Sequence, residues 1–347
     1  MRRRALPAAL AAAGALGALV WRFRSTVLPA RPDHAPTPRP HRIPEPAARP
    51  SPDGRGVRIA VNPTSGPAWT SNPTDELRTG LPAAEIVELG PDDDLTAVLA
   101  AASDGDLVAI GAAGGDGTLS AVAPLAAERD LVLVAVPTGT LNHLARDLGL
   151  DDVDDAVAAV RAGTVTAMDL GVVRPDDGDG DGERTFVNTL SFGGYTDVVD
   201  ARERMEPRLG KWLALLVALV RELPGLQPLH LEIDGTPTKV WLGWVGNGRY
   251  APEGFGPSWR ERLDDGNLDV RLVLGGARHS RVRFVLDVFA GRLLHSRHYA
   301  ERQATEVRVT SLDGPLRMAV DGETFDGPRS FTIAKHRRAI RVAVPPG

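Results

Sequence analysis

Three short stretches of this chain carry residues suited to holding phosphate. They are Asn62-Pro63-Thr64-Ser65-Gly66, the run containing Gly111, Gly114, Gly115, Asp116, Gly117 and Thr118, and Thr138-Gly139-Thr140. Glycine lets a backbone approach a ligand closely, and free N–H groups at a helix start favour anions. Serine and threonine hydroxyls add further donors. The second stretch matches neither GxxxxGK(S/T) nor GxGxxG, so the P-loop and dinucleotide readings do not apply. Ordinary βα turns use the same residue types. Taken alone, the loops leave phosphate binding and plain turns both open.

Such loops need elements to position them. An apolar run, Leu107 to Ile110, leads into the glycine-rich stretch, and a helical segment follows. A second run, Leu131 to Val136, breaks at Pro137 into Thr138-Gly139-Thr140, which opens another helix. Two strand–loop–helix units in tandem place both loops at one carboxyl edge of a parallel sheet, where α/β proteins bind ligands. Val57 to Val61 and Ala84 to Leu89 read as strands, and Leu95 to Ala102 as a helix. Asp151 to Ala162 reads as a helix with acidic residues at its start and Gly163 at its stop. Strands alternating with helices predict a parallel sheet over 57–165.

From about Thr164 the texture changes to short alternating segments. They are Ala167 to Val173, Thr185 to Leu190, Leu229 to Ile233, Lys239 to Val245, Leu268 to Leu274, Glu306 to Thr310, Leu316 to Val320, Phe331 to Ala334 and Ala339 to Val344. These predict a mostly antiparallel β domain over 166–347. The acidic tract Asp176 to Glu183 spaces aspartates like a calcium loop, but Asn188 stands where a bidentate glutamate is required. A solvated hairpin loop is the reading kept. Lys211 to Leu223 (KWLALLVALVREL) is apolar almost all round. It reads as a buried core helix, and as the place to look for an entry path if the substrate is a lipid.

Composition bounds the function. The chain has 347 residues, enough for two domains, and its net charge of −5 argues against nucleic acid as a partner. With no cysteine there is no disulfide, thiolate metal site or cysteine nucleophile. Residues 1–24 carry Arg2, Arg3 and Arg4, then an apolar run from Ala5 to Trp21, closed by Arg22 and Arg24. That run is at the short limit of a membrane span, and reads as a hydrophobic anchor or signal-like segment. Residues 25–56, rich in proline and arginine, read as an extended tether. His279, His295 and His298 read as surface residues.

With all these segments in view, the chain resembles the diacylglycerol kinase catalytic-domain family, especially its soluble bacterial lipid kinases. The resemblance runs from Val57 to about Val344 and rests on motifs in order. After Asn62-Pro63-Thr64-Ser65-Gly66 come Gly114-Gly115-Asp116-Gly117-Thr118 and Pro137-Thr138-Gly139-Thr140-Leu141-Asn142 with Ala145-Arg146. Then follow Phe186-Val187-Asn188 with Gly193-Gly194, Asn247-Gly248, Asp265-Gly266-Asn267-Leu268-Asp269 and Val320-Asp321-Gly322-Glu323. The resemblance implies an α/β nucleotide-binding domain joined to a β-sandwich, with the active site in the cleft. It implies transfer of the ATP γ-phosphoryl group to a lipid hydroxyl with Mg²⁺; because ATP is cytosolic, the N-terminal hydrophobic segment would then anchor the chain with Val57 onward at the cytoplasmic face of a membrane. Phosphoryl transfer is mostly positioning and charge neutralisation, which suits loops rich in backbone donors.

The same resemblance implies roles. Asn62, Thr64, Ser65, Gly66, Gly114 to Thr118, Thr140 and Asn142 would hold the nucleotide, with Asp116 orienting either a metal or the loop. Asp321 is the first choice for the base that takes the hydroxyl proton, and Glu323 the second. Asp-Gly occurs eleven times in the chain, so only its place among the motifs distinguishes Asp321-Gly322. Asp265, with the carbonyl of Asn267, would hold a structural Mg²⁺. Two departures stand out: Ala121 replaces a common glutamate, and His143 replaces a common aspartate. The alternatives are NAD kinase, which shares the GGDGT loop but should show Asn-Glu and Gly-Ser-Thr-Ala-Tyr segments not found here, and a non-catalytic lipid-binding relative. The sequence leaves a homodimer open.

Overall fold

The computed structural model describes residues 50–62, 73–101, 107–139, 142–176, 182–194, 227–251, 253, 259–276, 280–289 and 292–346. The segment 1–24, most of the tether, and the apolar stretch 211–223 lie outside these residues. Among the described residues no helix is long and apolar enough to cross a membrane.

The first domain is an α/β layer. Strands β1 (Val57–Val61), β2 (Glu85–Glu88), β3 (Ala109–Gly114) and β4 (Val132–Pro137) run parallel in the order β2-β1-β3-β4. Every residue of β1 and β3 is buried, as expected where helices cover both faces of a parallel sheet. Helices α1 (Pro73–Gly80), α2 (Leu95–Ala100), α3 (Asp116–Glu128), α4 (His143–Leu148) and α5 (Val153–Ala162) supply the cover. Helix α5 follows the sequence signals. Asp152 caps it by accepting from Asp155 N, Val153, Ala156, Val157 and Val160 are buried, and Gly163 ends it at φ +65°.

Two expectations are corrected here. The glycine-rich loop is shorter than its sequence suggests, because Gly111 and Gly114 belong to β3. A Cβ on Gly111 would lie 2.4 Å from the Val134 carbonyl oxygen, so this glycine serves close contact with β4 rather than a turn. The end of the tether is also docked: Ser51 is buried and its N–H donates to the Val160 carbonyl at 3.3 Å.

The second domain is an antiparallel β-sandwich. It contains β5 (Val165–Pro175), β6 (Arg184–Phe186), β7 (Thr189–Gly193), β8 (Leu229–Ile233) and β9 (Thr236–Asn247). The short pair β10 (Tyr250–Ala251) and β11 (Trp259–Arg260) follows, then β12 (Leu268–Leu274), helix α6 (Ser280–Phe289), β13 (Tyr299–Ala304), β14 (Val307–Ser311), β15 (Leu316–Val320), β16 (Glu323–Gly327) and β17 (Ser330–Ala343). β5 and β6, which flank the acidic tract in sequence, pair antiparallel. The segment expected as one strand over 185–190 divides into β6 and β7.

The two C-terminal segments expected as separate strands are one. β17 bends at an irregularity between His336 and Ile340, where Arg338 adopts φ +50°. Before the bend Phe331 and Ile333 enter the sandwich core; after it Ile340 and Val342 enter the α/β core. β17 also pairs in parallel with β4, so the last strand joins the two domains into one hydrogen-bonded sheet.

Candidate functional site

β1, β3 and β4 end at one edge, with Val61 beside Ala113 and Gly114 beside Pro137. Asn62 continues from β1, its N–H directed at the Ala113 carbonyl at 3.5 Å. Gly115 begins α3 with no side-chain cap, so the amides of the first turn point out of the helix unsatisfied by a side chain. The two glycine loops touch: a Cβ on Gly139 would lie 2.4 Å from Gly115 Cα. Thr118 lies back against Gly114, where a Cβ would come within 2.5 Å of its Oγ1. Asn142 turns the chain into α4 at φ +48° and donates from Nδ2 to the Gly139 carbonyl at 2.8 Å. Its Oδ1 and Thr138 Oγ1 are buried with no hydrogen-bond partner among the described residues. A bare-backbone cradle with orphaned polar atoms fits a phosphate-bearing ligand. Thr64, Ser65, Gly66 and Thr140 lie outside the described residues.

Three carboxylates surround this cradle and behave differently. Asp116 accepts from the backbone N–H groups of His143 and Leu144 and from Asn188 Nδ2, each at 2.9 Å. Of the two roles open to it, orienting the loops is the one these bonds describe. Asp321 sits at φ +47° in the turn between β15 and β16. Its carboxylate accepts from Ser120 Oγ at 2.6 Å and from the amides of Val187, Asn188 and Thr189 at 2.8, 2.9 and 2.7 Å. Four donors fill the four lone-pair positions of a carboxylate. Burial pushes this carboxyl up to about 6, against the pull of Ser120 and the three amides. Glu323 is exposed, and a Cβ on Gly117 would lie 3.4 Å from its Oε1. Of the two acids proposed from sequence, Glu323 is therefore the one whose carboxylate lies open beside the glycine loop.

Behind the loops lies a polar network that sequence reasoning missed. Arg260 is fully buried and donates to Asp147 Oδ2 at 2.7 Å, to the carbonyls of Val187 and Asn247 at 2.8 and 2.9 Å, and to Asn188 Oδ1 at 2.8 Å. The ring of Tyr250 lies 5.1 Å from its guanidinium. Burial pushes the Asp147 carboxyl above its ordinary value, and Arg260 offsets part of that rise. Asn188 thus links Asp116 in the first domain to Arg260 in the second. Asp147, Ser120 and Arg260 carried no local signal, since each looks like an ordinary helix or loop residue until the domains meet.

Asp265 and Asn267 stand apart from the loops. Asp265 accepts from Arg249 N and Asn267 N, each at 2.8 Å, and the ammonium of Lys335 lies 3.3 Å from its Oδ1. The Asn267 carbonyl accepts from the same ammonium at 3.0 Å. Among the described residues no group of three or more histidines and acids could hold a metal ion. Of the departures noted in sequence, Ala121 is exposed on α3, and His143 is fixed through its backbone by Asp116. His298 is buried rather than on the surface, contrary to expectation.

Comparison with known proteins agrees with this geometry. Residues 56–173 match the family described as diacylglycerol kinase catalytic domain. Residues 188–344 match the YegS C-terminal NAD kinase beta sandwich-like domain. A diacylglycerol kinase of Mycobacterium tuberculosis is 30% identical over 274 residues, covering 77% of this chain and 86% of that protein. A diacylglycerol kinase of Bacillus subtilis is 27% identical over 222 residues, covering 61% and 69%. A crystal structure of a diacylglycerol kinase from Bacillus anthracis str. Sterne superimposes with a TM-score of 0.57 at 19% identity, over 84% of this chain and 97% of that one. Glycine loops of one domain meeting an acidic turn of a β-sandwich, in a chain with these relatives, place it in the diacylglycerol kinase catalytic-domain family of lipid kinases.

Proposed function

We propose that this chain transfers the γ-phosphoryl group of ATP to the hydroxyl of diacylglycerol or a related lipid alcohol, with Mg²⁺, at the cytoplasmic face of a membrane. The observation that carries the reading is the Gly115–Gly139 contact at the uncapped start of α3, with the Glu323 carboxylate beside Gly117. The amides at the start of α3 and of Gly139 hold the phosphates, and Asn62, Thr138 and Asn142 border them. Glu323 takes the proton of the lipid hydroxyl as oxygen attacks phosphorus and the bond to ADP breaks. Asp321 acts as a positioning residue: it ties Ser120 of α3 to residues 187–189 and so sets where β16 presents Glu323. Mg²⁺, when bound with ATP, neutralises charge on the β- and γ-phosphates, and such an ion takes most of its ligands from phosphate and water.

The test is transfer of labelled γ-phosphate from ATP to diacylglycerol, other lipid alcohols and NAD, using the full chain with and without Mg²⁺. Label in a lipid, lost without Mg²⁺, is the expected result. Label in NAD would install NAD kinase instead. No label in any acceptor from folded protein would leave the non-catalytic lipid-binding alternative.

A further inference from the structure

The second domain carries a cation of its own. Lys335 lies in β17 just before the bend, and its side chain is 1% exposed. Its ammonium lies 2.9 Å from Asp169 Oδ2, 3.3 Å from Asp265 Oδ1 and 3.0 Å from the Asn267 carbonyl. Two of these oxygens, Asp265 Oδ1 and the Asn267 carbonyl, accept hydrogen bonds from the ammonium, and the third, Asp169 Oδ2, forms an ion pair with it. The oxygens are fixed from the other side as well. Gly266 N donates to Asp169 Oδ2 at 2.8 Å and Arg338 N to Asp169 Oδ1 at 2.7 Å. Arg249 N and Asn267 N, each at 2.8 Å, hold Asp265.

Asp265 and the Asn267 carbonyl are the two ligands that the family resemblance assigns to a structural Mg²⁺, and here they do not fit one. The spacings are those of N–H···O bonds. Mg²⁺ requires oxygens at about 2.0–2.1 Å in an octahedron, and Ca²⁺ requires about six to eight oxygens. An ammonium centred on the same atoms excludes either ion by volume and by charge. We propose that Lys335 replaces the divalent ion in this chain, supplying as part of the polypeptide the positive charge that closes the Asp265–Asn267 turn onto β5 and β17.

A tethered ammonium cannot be chelated, so this part of the fold is independent of the ion supply. The same node supports the wall behind the candidate site. Asn247 Nδ2 donates to the Asp169 carbonyl at 2.8 Å, and the Asn247 carbonyl in turn accepts from Arg260. The inference concerns stability and does not depend on which substrate is phosphorylated.

Thermal melting of the full chain without nucleotide tests it, first in EDTA and then with millimolar Mg²⁺ or Ca²⁺. The native chain is expected to melt at one temperature in all three. Lys335→Ala is expected to melt roughly 10 °C lower in EDTA, because buried Asp169 and partly buried Asp265 lose their counter-charge. Mg²⁺ or Ca²⁺ should restore much of that loss saturably. Lys335→Ala combined with Asp265→Asn should regain part of the loss in EDTA and no longer respond to ions, and it serves if the single variant does not fold. A native chain that melts lower in EDTA and recovers with Mg²⁺ would overturn the proposal. So would a Lys335→Ala variant that melts like the native chain, or one that no divalent ion stabilises.

Discussion

Two enclosed aspartates of the second domain are held by opposite means. Asp321, beside the glycine loops, is held by a hydroxyl and three backbone amides. Asp169, on the far side of the Arg260 network, is held by two amides and the ammonium of Lys335. Neutral donors leave the charge of Asp321 in place, and burial raises its pKa to about 6. The ammonium cancels a charge outright and cannot leave. On the proposed reading the difference separates two tasks: an acid that adjusts the geometry of a site, and an acid that closes a fold.

The largest effect should separate Asp321 from its neighbour. Glu323→Gln is expected to lower kcat by about 10²–10⁴-fold, the usual loss for a general base, and to leave the melting temperature almost unchanged. Equal activity in Glu323→Gln and the native chain would return the base assignment to Asp321. Next, Asp169→Asn strands the Lys335 ammonium with a weaker partner and should cost about 3–5 kcal/mol in urea unfolding. A loss below about 1 kcal/mol would mean that the pair is not sealed from water and the contrast fails.

Asp321→Asn probes the other side through pH. The carboxyl rises from 3.8 to about 6 on folding, so the folded chain binds this proton more tightly than the unfolded chain. Its contribution to stability is full below about pH 4 and is lost as the pH rises through 6. The asparagine variant has no such proton. Its penalty relative to the native chain should therefore be larger at pH 4 than at pH 7, by order 3 kcal/mol in urea unfolding. A penalty that grows toward neutral pH would show that the four donors outweigh burial. The smallest effect is expected from Ser120→Ala, which removes one of those donors and should cost about 1 kcal/mol, measured by the same method.

Local physics made much of this legible in advance. Apolar runs flanked by glycine and proline gave β1 and β4, and the signals of α5 matched its cap and stop. Periodicity located β8, β12 and β15 with their observed limits. It misjudged the glycine stretch, because Gly111 is required by a neighbour on β4 that lies far along the chain. It also divided β17, because a bend with charged residues reads as a loop when the partners of its amides are unknown.

The sequence by itself determined the two-layer plan, the order of its domains and the edge where the glycine loops gather, since helix and strand periods and turn chemistry act over a few residues. Tertiary structure alone decided what each charged group does. Asp321 and Glu323 are two residues apart, yet one is saturated by Ser120 of α3 and the amides of residues 187–189 while the other stands open beside Gly117. Lys335 and Asp265 are seventy positions apart, and only the docking of β17 on β5 brings the ammonium to the place where a metal ion was expected. The reason is physical: the role of a charge depends on burial and on donors and acceptors within about 3 Å, and those come from the whole fold.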